Sequence, residues 1–350
     1  MLIVHSTRVR EHVPARFVVA GTQRPHPDVP ERIDSLLSGI ASPGFERIEP
    51  ADHGLQYLRR IHSDRYLDFL EHAHEAWLQL PAASPEVLPN VHPRGVPGEY
   101  PRSIIGRAGW HLYDLSCPIA APTWRAVVWN AHVATEAALR VRDGAARCAY
   151  ALCRPPGHHA GADQAGGFCY LNNAAVAATV LRERFARVAI LDVDVHHGNG
   201  TQDIFYDRAD VLFASLHGDP ASFYPFYWGY AAEQGSGAGF GATLNVPLAR
   251  ELRDDEYLAA LLIALERIRA FGAEALVVSV GFDGYERDPL SSLKLSTEGF
   301  GRIAAAIAGL KLPSVLVQEG GYFCADLGRN LAAFLHGFLA GLDGARGAAA

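Results

Sequence analysis

Short apolar runs alternate along the chain with longer segments of helical periodicity. Leu2–His5, Cys148–Leu152, Val188–Val193, Val211–Leu216, Ala275–Val280 and Ser314–Val317 have the length and β-branched content of buried strands. Between them, Pro30–Ile40, Ser63–His72, Thr123–Val141, Leu171–Glu183, Asp254–Phe271, Thr297–Ala308 and Leu327–Leu339 read as helices. Asp254 fits an N-cap, and Thr297 with Glu298 fits a helix start. Such alternation predicts an α/β fold, a parallel sheet with helices on both faces. With no repeat and no linker, a single domain over residues 1–345 is expected, ending in a GARGAAA tail that frays.

One segment breaks the rhythm. From Leu80 to Pro122 prolines recur, with Tyr100, Trp110 and Tyr113 among them. A long stretch without regular structure inside a compact domain is usually a functional loop or an interface.

Composition narrows the class. The 350 residues are 49% hydrophobic and 20% charged, with net charge -7. No basic patch dominates, which argues against a nucleic-acid partner. Five scattered cysteines, Cys117, Cys148, Cys153, Cys169 and Cys324, form no CxxC pair and read as reduced thiols. No signal peptide or membrane-length apolar run is visible, so a cytoplasmic protein is expected.

The candidate chemistry sits at strand ends. In AILDVDVHHGNG (Ala189–Gly200), alternation puts Leu191, Val193 and Val195 on one side and Asp192, Asp194 and His196 on the other. Clustered carboxylates at the C-terminal end of a buried strand need a compensating cation, and Asp with His suits a divalent metal. The same alternation turns His197 away from that side. CRPPGHH (Cys153–His159) delivers His158 and His159 on a rigid turn, a pair suited to proton transfer. VVSVGFDGYERD (Val277–Asp288) places Asp283, and VQEGGY (Val317–Tyr322) places Tyr322, after two further apolar runs.

CRPPGHHA, GGFCYLNNAAVAA, ILDVDVHHGNGTQDIFY, ASLHGD and QEGGY, together with His26-Pro27…Pro30-Glu31-Arg32, His62…Tyr66 and Asp288-Pro289-Leu290, resemble the zinc-dependent deacetylase superfamily. That superfamily includes histone deacetylases and acetylpolyamine amidohydrolases, and the Pro-rich segment and Phe223–Gly239 look most like the latter branch. The resemblance implies the arginase–deacetylase fold with a central eight-stranded parallel sheet. It implies zinc held by Asp194, His196 and Asp283, and a His158/His159 dyad oriented by Asp192 and Asn199. Where some relatives carry Asp, the neutral Asn199 orients a ring without raising its basicity. Tyr322 would polarise the carbonyl, and Phe168, Gly167 and Tyr224 would line the acyl tunnel, with Tyr224 in place of the commoner Phe. Asp192, Asp194, His196, Ser215 and Leu216 match a potassium site, and a second lies around Phe205 and Val211.

The implied activity is hydrolysis of small acetylated amines, either acetylpolyamines or acetyl-lysine types. The alternatives are a histone-type lysine deacetylase, an acyl-lysine binding module, and an arginase-like binuclear hydrolase. The last would want a carboxylate where Gly198 stands. Polyamine-selective relatives tend to carry acids at the positions of Ile105 and Ser116; Glu99 and Asp114 lie nearby and could substitute. The Pro-rich segment implies a homodimer that narrows the tunnel mouth.

Overall fold

The computed structural model describes residues 1–42, 44–95 and 98–344. The expected domain boundary at 345 and the tail beyond it lie outside the described residues. One parallel sheet organises the chain. Its eight strands are β1 (Leu2–Val4), β4 (Glu46–Ile48), β5 (Cys148–Ala151), β6 (Val188–Asp192), β7 (Val211–Gly218), β8 (Thr243–Leu248), β9 (Ala275–Val280) and β10 (Ser314–Gln318). They lie in the order β4-β1-β5-β10-β9-β6-β7-β8, all parallel, and a separate antiparallel hairpin pairs β2 (Arg16–Val19) with β3 (Thr22–Pro25).

The central strands are apolar throughout because both faces are covered. Val188, Ile190, Val277, Val315 and Val317 face alanine-rich α4 (Thr123–Arg142) and α5 (Asn173–Leu181). Leu191, Leu276, Val278 and Leu316 face α7 (Asp254–Phe271), α8 (Thr297–Ala308) and α9 (Leu327–Asp343) through Leu261, Phe300 and Phe334. The remaining helices are α1 (Glu31–Gly39), α2 (Asp64–Leu78), α3 (Ile104–His111) and α6 (Asn199–Phe205). Among the described residues, no helix is long and apolar enough to cross a membrane.

Three expectations need correction. Asp254 does not cap α7: Arg253 occupies the N-cap position, and the Asp254 carboxylate accepts instead from Ser296 N at 2.9 Å and Ser296 Oγ at 2.6 Å. Ser296 in turn caps α8 by accepting from Gly299 N at 2.9 Å. The Leu80–Pro122 segment is not wholly irregular, since it contains α3, started by Ser103. Helix α2 runs to Leu78 rather than His72, because Ala73 and Trp77 continue its buried stripe.

Candidate active site

Three strand ends on the α4/α5 side of the sheet converge on one point. Strand pairing of β6 stops at Asp192, yet the alternation persists beyond it. Val193 and Val195 pack into the core on the far side with Leu191, while Asp192, Asp194 and His196 turn the other way. From β9 the chain continues to Asp283. His196 Nδ1 lies 3.1 Å from Asp283 Oδ2 and 3.3 Å from Asp194 Oδ1, and ligand atoms of all three residues lie within 4.8 Å of one another. The backbone locks the carboxylates: Gly320 N donates to Asp194 Oδ2 at 2.8 Å and Val195 N to Asp283 Oδ1 at 3.1 Å. A Cβ at Gly320 would collide with both carboxylates, so only glycine lets β10 pass so close.

The electrostatics call for a cation here. Asp283, Asp194 and Asp192 are fully buried. Burial and then the Asp194 charge raise the pKa of Asp283, and burial raises that of Asp192, whereas His158 and His196 outweigh burial at Asp194 and hold it low. Two carboxylates and one imidazole, with His196 facing a pocket, fit a divalent metal that keeps an open coordination position. A second metal has no ligand at residue 198, because any side chain there would strike Asp192 and crowd His158.

The dyad stands alongside. His158 Nδ1 lies 2.9 Å from Asp192 Oδ2, and His159 Nδ1 lies 2.7 Å from Asn199 Oδ1. Burial pulls the pKa of His158 down, but Asp192 and Asp194 overcome it and hold it at about 10. A divalent cation beside Asp194 would bring that value down. Burial, reinforced by His158 and His196, drives His159 well below its usual value, so this ring is neutral. Burial raises Tyr322, which stays protonated as a donor.

A pocket of about 440 Å³ opens above these groups. Phe168 meets Tyr322 edge-on at 5.6 Å, and Tyr224 meets His159 at 5.1 Å. Gly167, at φ 55, has no room for a Cβ beside the His159 ring. Ser215 is paired with Asp192 across β6 and β7, with Leu216 next to it, while Phe205 ends α6 and Val211 begins β7. His197 is turned off the cluster, with Nε2 3.1 Å from both Gln202 Oε1 and Asn245 Oδ1. Of the two acids near the mouth, Asp114 lines the pocket, as does Ser116; Glu99 is exposed and neither it nor Ile105 contributes to the lining.

The histone deacetylase domain family matches residues 26–338. The chain belongs to the histone deacetylase family. Acetylpolyamine amidohydrolase of Burkholderia pseudomallei is 46% identical over 328 residues, which is 93% of this chain and 95% of that protein. Acetylpolyamine amidohydrolase 2 of Pseudomonas aeruginosa is 43% identical over 341 residues, 97% of this chain and 98% of its own. The crystal structure of the Burkholderia pseudomallei acetylpolyamine aminohydrolase superposes with a TM-score of 0.93 at 44% identity, covering 97% of this chain and 98% of that one. Members of this histone deacetylase family are metal-dependent hydrolytic enzymes.

The roles of several residues of this histone deacetylase-family site escaped the sequence reading, although Glu319, Asp288 and Phe223 stand within the stretches that carry the resemblance. Glu319 Oε2 accepts from Gly157 N at 2.6 Å and His158 N at 3.1 Å, holding the Pro-Pro-Gly turn. Its signal was a lone glutamate closing a buried apolar run. Asp288 Oδ2 accepts from Tyr322 N at 2.6 Å. Phe223 stacks on His196 at 4.8 Å, and Phe17 and Val18 of the hairpin form an outer wall of the pocket. A further group, His158, Cys169 and Glu319, also converges. There Glu319 is spent on backbone amides, and burial raises the Cys169 thiol above its usual range.

Proposed function

We propose that the chain is a zinc-dependent amidohydrolase that removes acetyl groups from small acetylated amines, acetylpolyamines foremost, releasing acetate and free amine. The observation that carries this reading is the Asp194/His196/Asp283 cluster at the pocket, with His159 and Tyr322 also in its lining. The names of the relatives support the substrate class. Zinc held by Asp194, His196 and Asp283 would supply Lewis acidity to a water molecule and to the acetyl carbonyl. Neutral His159, its Nδ1–H donated to Asn199, presents Nε2 to take the proton from the attacking water. His158, held by Asp192, stabilises negative charge. Tyr322 donates to the developing oxyanion from a backbone fixed by Asp288. The proton then passes to the departing amine.

Potassium at Asp192, Asp194, His196, Ser215 and Leu216 is the second cation of this reading, supported by the Asp192–Ser215 register. A cytoplasmic setting fits five unpaired thiols. We also read the protein as a homodimer. Tyr100 and Trp110 are engaged within the chain, through His111 and Asp163. The support comes instead from exposed Phe226, which lines the pocket, and from exposed Tyr227 and Phe323, each next in sequence to a lining residue. Steady-state kinetics across acetylpolyamines, acetyl-lysine peptides and acetylated histone, with light scattering, test the reading. Histone turned over as readily as small amines, by a monomer, would contradict it.

A further inference from the structure

A polar chain leads from the tunnel wall to His159, and its direction is fixed at one end. The Asp114 carboxylate can only accept hydrogen bonds. Oδ1 takes Ser116 N at 2.9 Å and Ser116 Oγ at 2.6 Å. Oδ2 takes Gly167 N at 3.0 Å and the Tyr224 hydroxyl at 2.7 Å. With its proton committed to Asp114, Tyr224 offers only lone pairs to the Tyr113 hydroxyl 3.0 Å away. Tyr113 therefore donates to Tyr224, the nearer of its two acceptors, the His159 carbonyl lying at 3.5 Å. Its own lone pair then faces Asn199 Nδ2 at 3.4 Å.

That matters because Asn199 is an amide and not a carboxylate. An amide rotated by 180° would present N–H to His159 Nδ1, forcing the imidazole proton onto Nε2. The rotated amide would also draw the Tyr113 proton away from Tyr224, leaving two hydroxyl oxygens facing each other with no proton between them. An aspartate at 199 would face no such choice, since both of its oxygens accept. We infer that Tyr113, oriented by Tyr224 and Asp114, is the positioning residue that fixes the Asn199 amide and keeps His159 in the tautomer with a free Nε2. The Tyr113 ring lies against Gly166, where any Cβ would overlap it, so a phenylalanine can keep the ring in place.

The catalytic consequence rests on the proposed role of His159; the tautomer does not. The test is two-bond nitrogen–proton NMR of imidazole-labelled, metal-loaded enzyme, with the His159 signal assigned by its loss in His159→Gln. The wild type should show the Nδ1–H form, and Tyr113→Phe should shift population to Nε2–H. Tyr224→Phe gives the same readout should Tyr113→Phe fold poorly. In kinetics, Tyr113→Phe should lower kcat about tenfold with KM changed less than about twofold, part of what a general base contributes. Adding Asn199→Asp should remove that sensitivity, so that Tyr113→Phe/Asn199→Asp and Asn199→Asp alone agree within about twofold. An unchanged tautomer in Tyr113→Phe and Tyr224→Phe, or an equal loss of kcat in both backgrounds, would overturn the inference. A wild type without deacetylase activity would instead sink the proposed function and leave the tautomer measurement standing.

Discussion

Two clusters of buried charge both contact the Gly320–Tyr322 turn, and they differ in what completes them. In the first, Asp28 is enclosed by Arg32 and Arg154. The arginines also donate to the carbonyls of Glu319, Gly321, Val9 and His12. Burial opposes ionisation of Asp28, but Arg154 and then Arg32 hold its pKa well below the usual carboxylate range. In the second, Asp192, Asp194 and Asp283 meet only imidazoles and backbone N–H groups, and burial raises the pKa of Asp283. The first cluster is sealed and cross-links the α1 helix to β10 and to the turn before His158. The second opens on a pocket and has the donor set of a metal site. A lone carboxylate enclosed by guanidinium groups that backbone carbonyls complete marks structure; carboxylates in excess beside a cavity mark function.

The comparison breaks most visibly at the metal cluster. Asp194→Ala or Asp283→Ala should abolish both metal binding and activity while the fold survives, as elemental analysis and circular dichroism would show. His159→Ala and Tyr322→Phe should keep the metal and lower kcat by roughly 10²-fold or more. His197→Ala should cost less turnover, since His197 is turned toward Gln202 and Asn245. If His197 mattered as much as His159, the division between the two faces of that segment would be wrong.

The sealed cluster should respond in stability instead. Asp28→Asn strands two buried guanidinium groups and should cost about 3 kcal/mol or more in denaturant unfolding, leaving metal stoichiometry unchanged in the folded fraction. A smaller pH effect sharpens the contrast. Burial lowers His12, beside Asp28, to about 3 and His62 to about 4. Both are neutral when folded and regain protons on unfolding, so the unfolded chain binds more protons between the ordinary histidine value and those lowered values. These two groups should therefore destabilise the fold as pH drops below ~6.5, by roughly 1 kcal/mol per pH unit each, against an opposite contribution from Glu319 and Asp288, which burial raises to about 7. A pH dependence between 7 and 5 left unchanged by His62→Gln would count against this.

The parts legible in the sequence share a physical cause. β6, β9 and β10 are buried on both faces, so their apolar runs announce them, and their polar ends stand out by contrast. β4 and β8 are edge strands: Glu46 and Arg47 are exposed, and β8 carries Asn245 and Pro247, which an edge tolerates. Neither leaves an apolar signature. The resemblance supplied the count of eight that local pattern could not. α6, NGTQDIF, is too short to show a period. Glu319, Asp288, Phe223 and Tyr113 gain their meaning only from partners far along the chain.

The central claim, one catalytic metal at the open cluster, is tested most directly by titrating zinc into metal-stripped enzyme while following hydrolysis of an acetylated amine. Activity should rise linearly and level off at one equivalent per chain, with no rise in Asp194→Ala. A break at two equivalents, or full activity before any metal is added, would contradict the account.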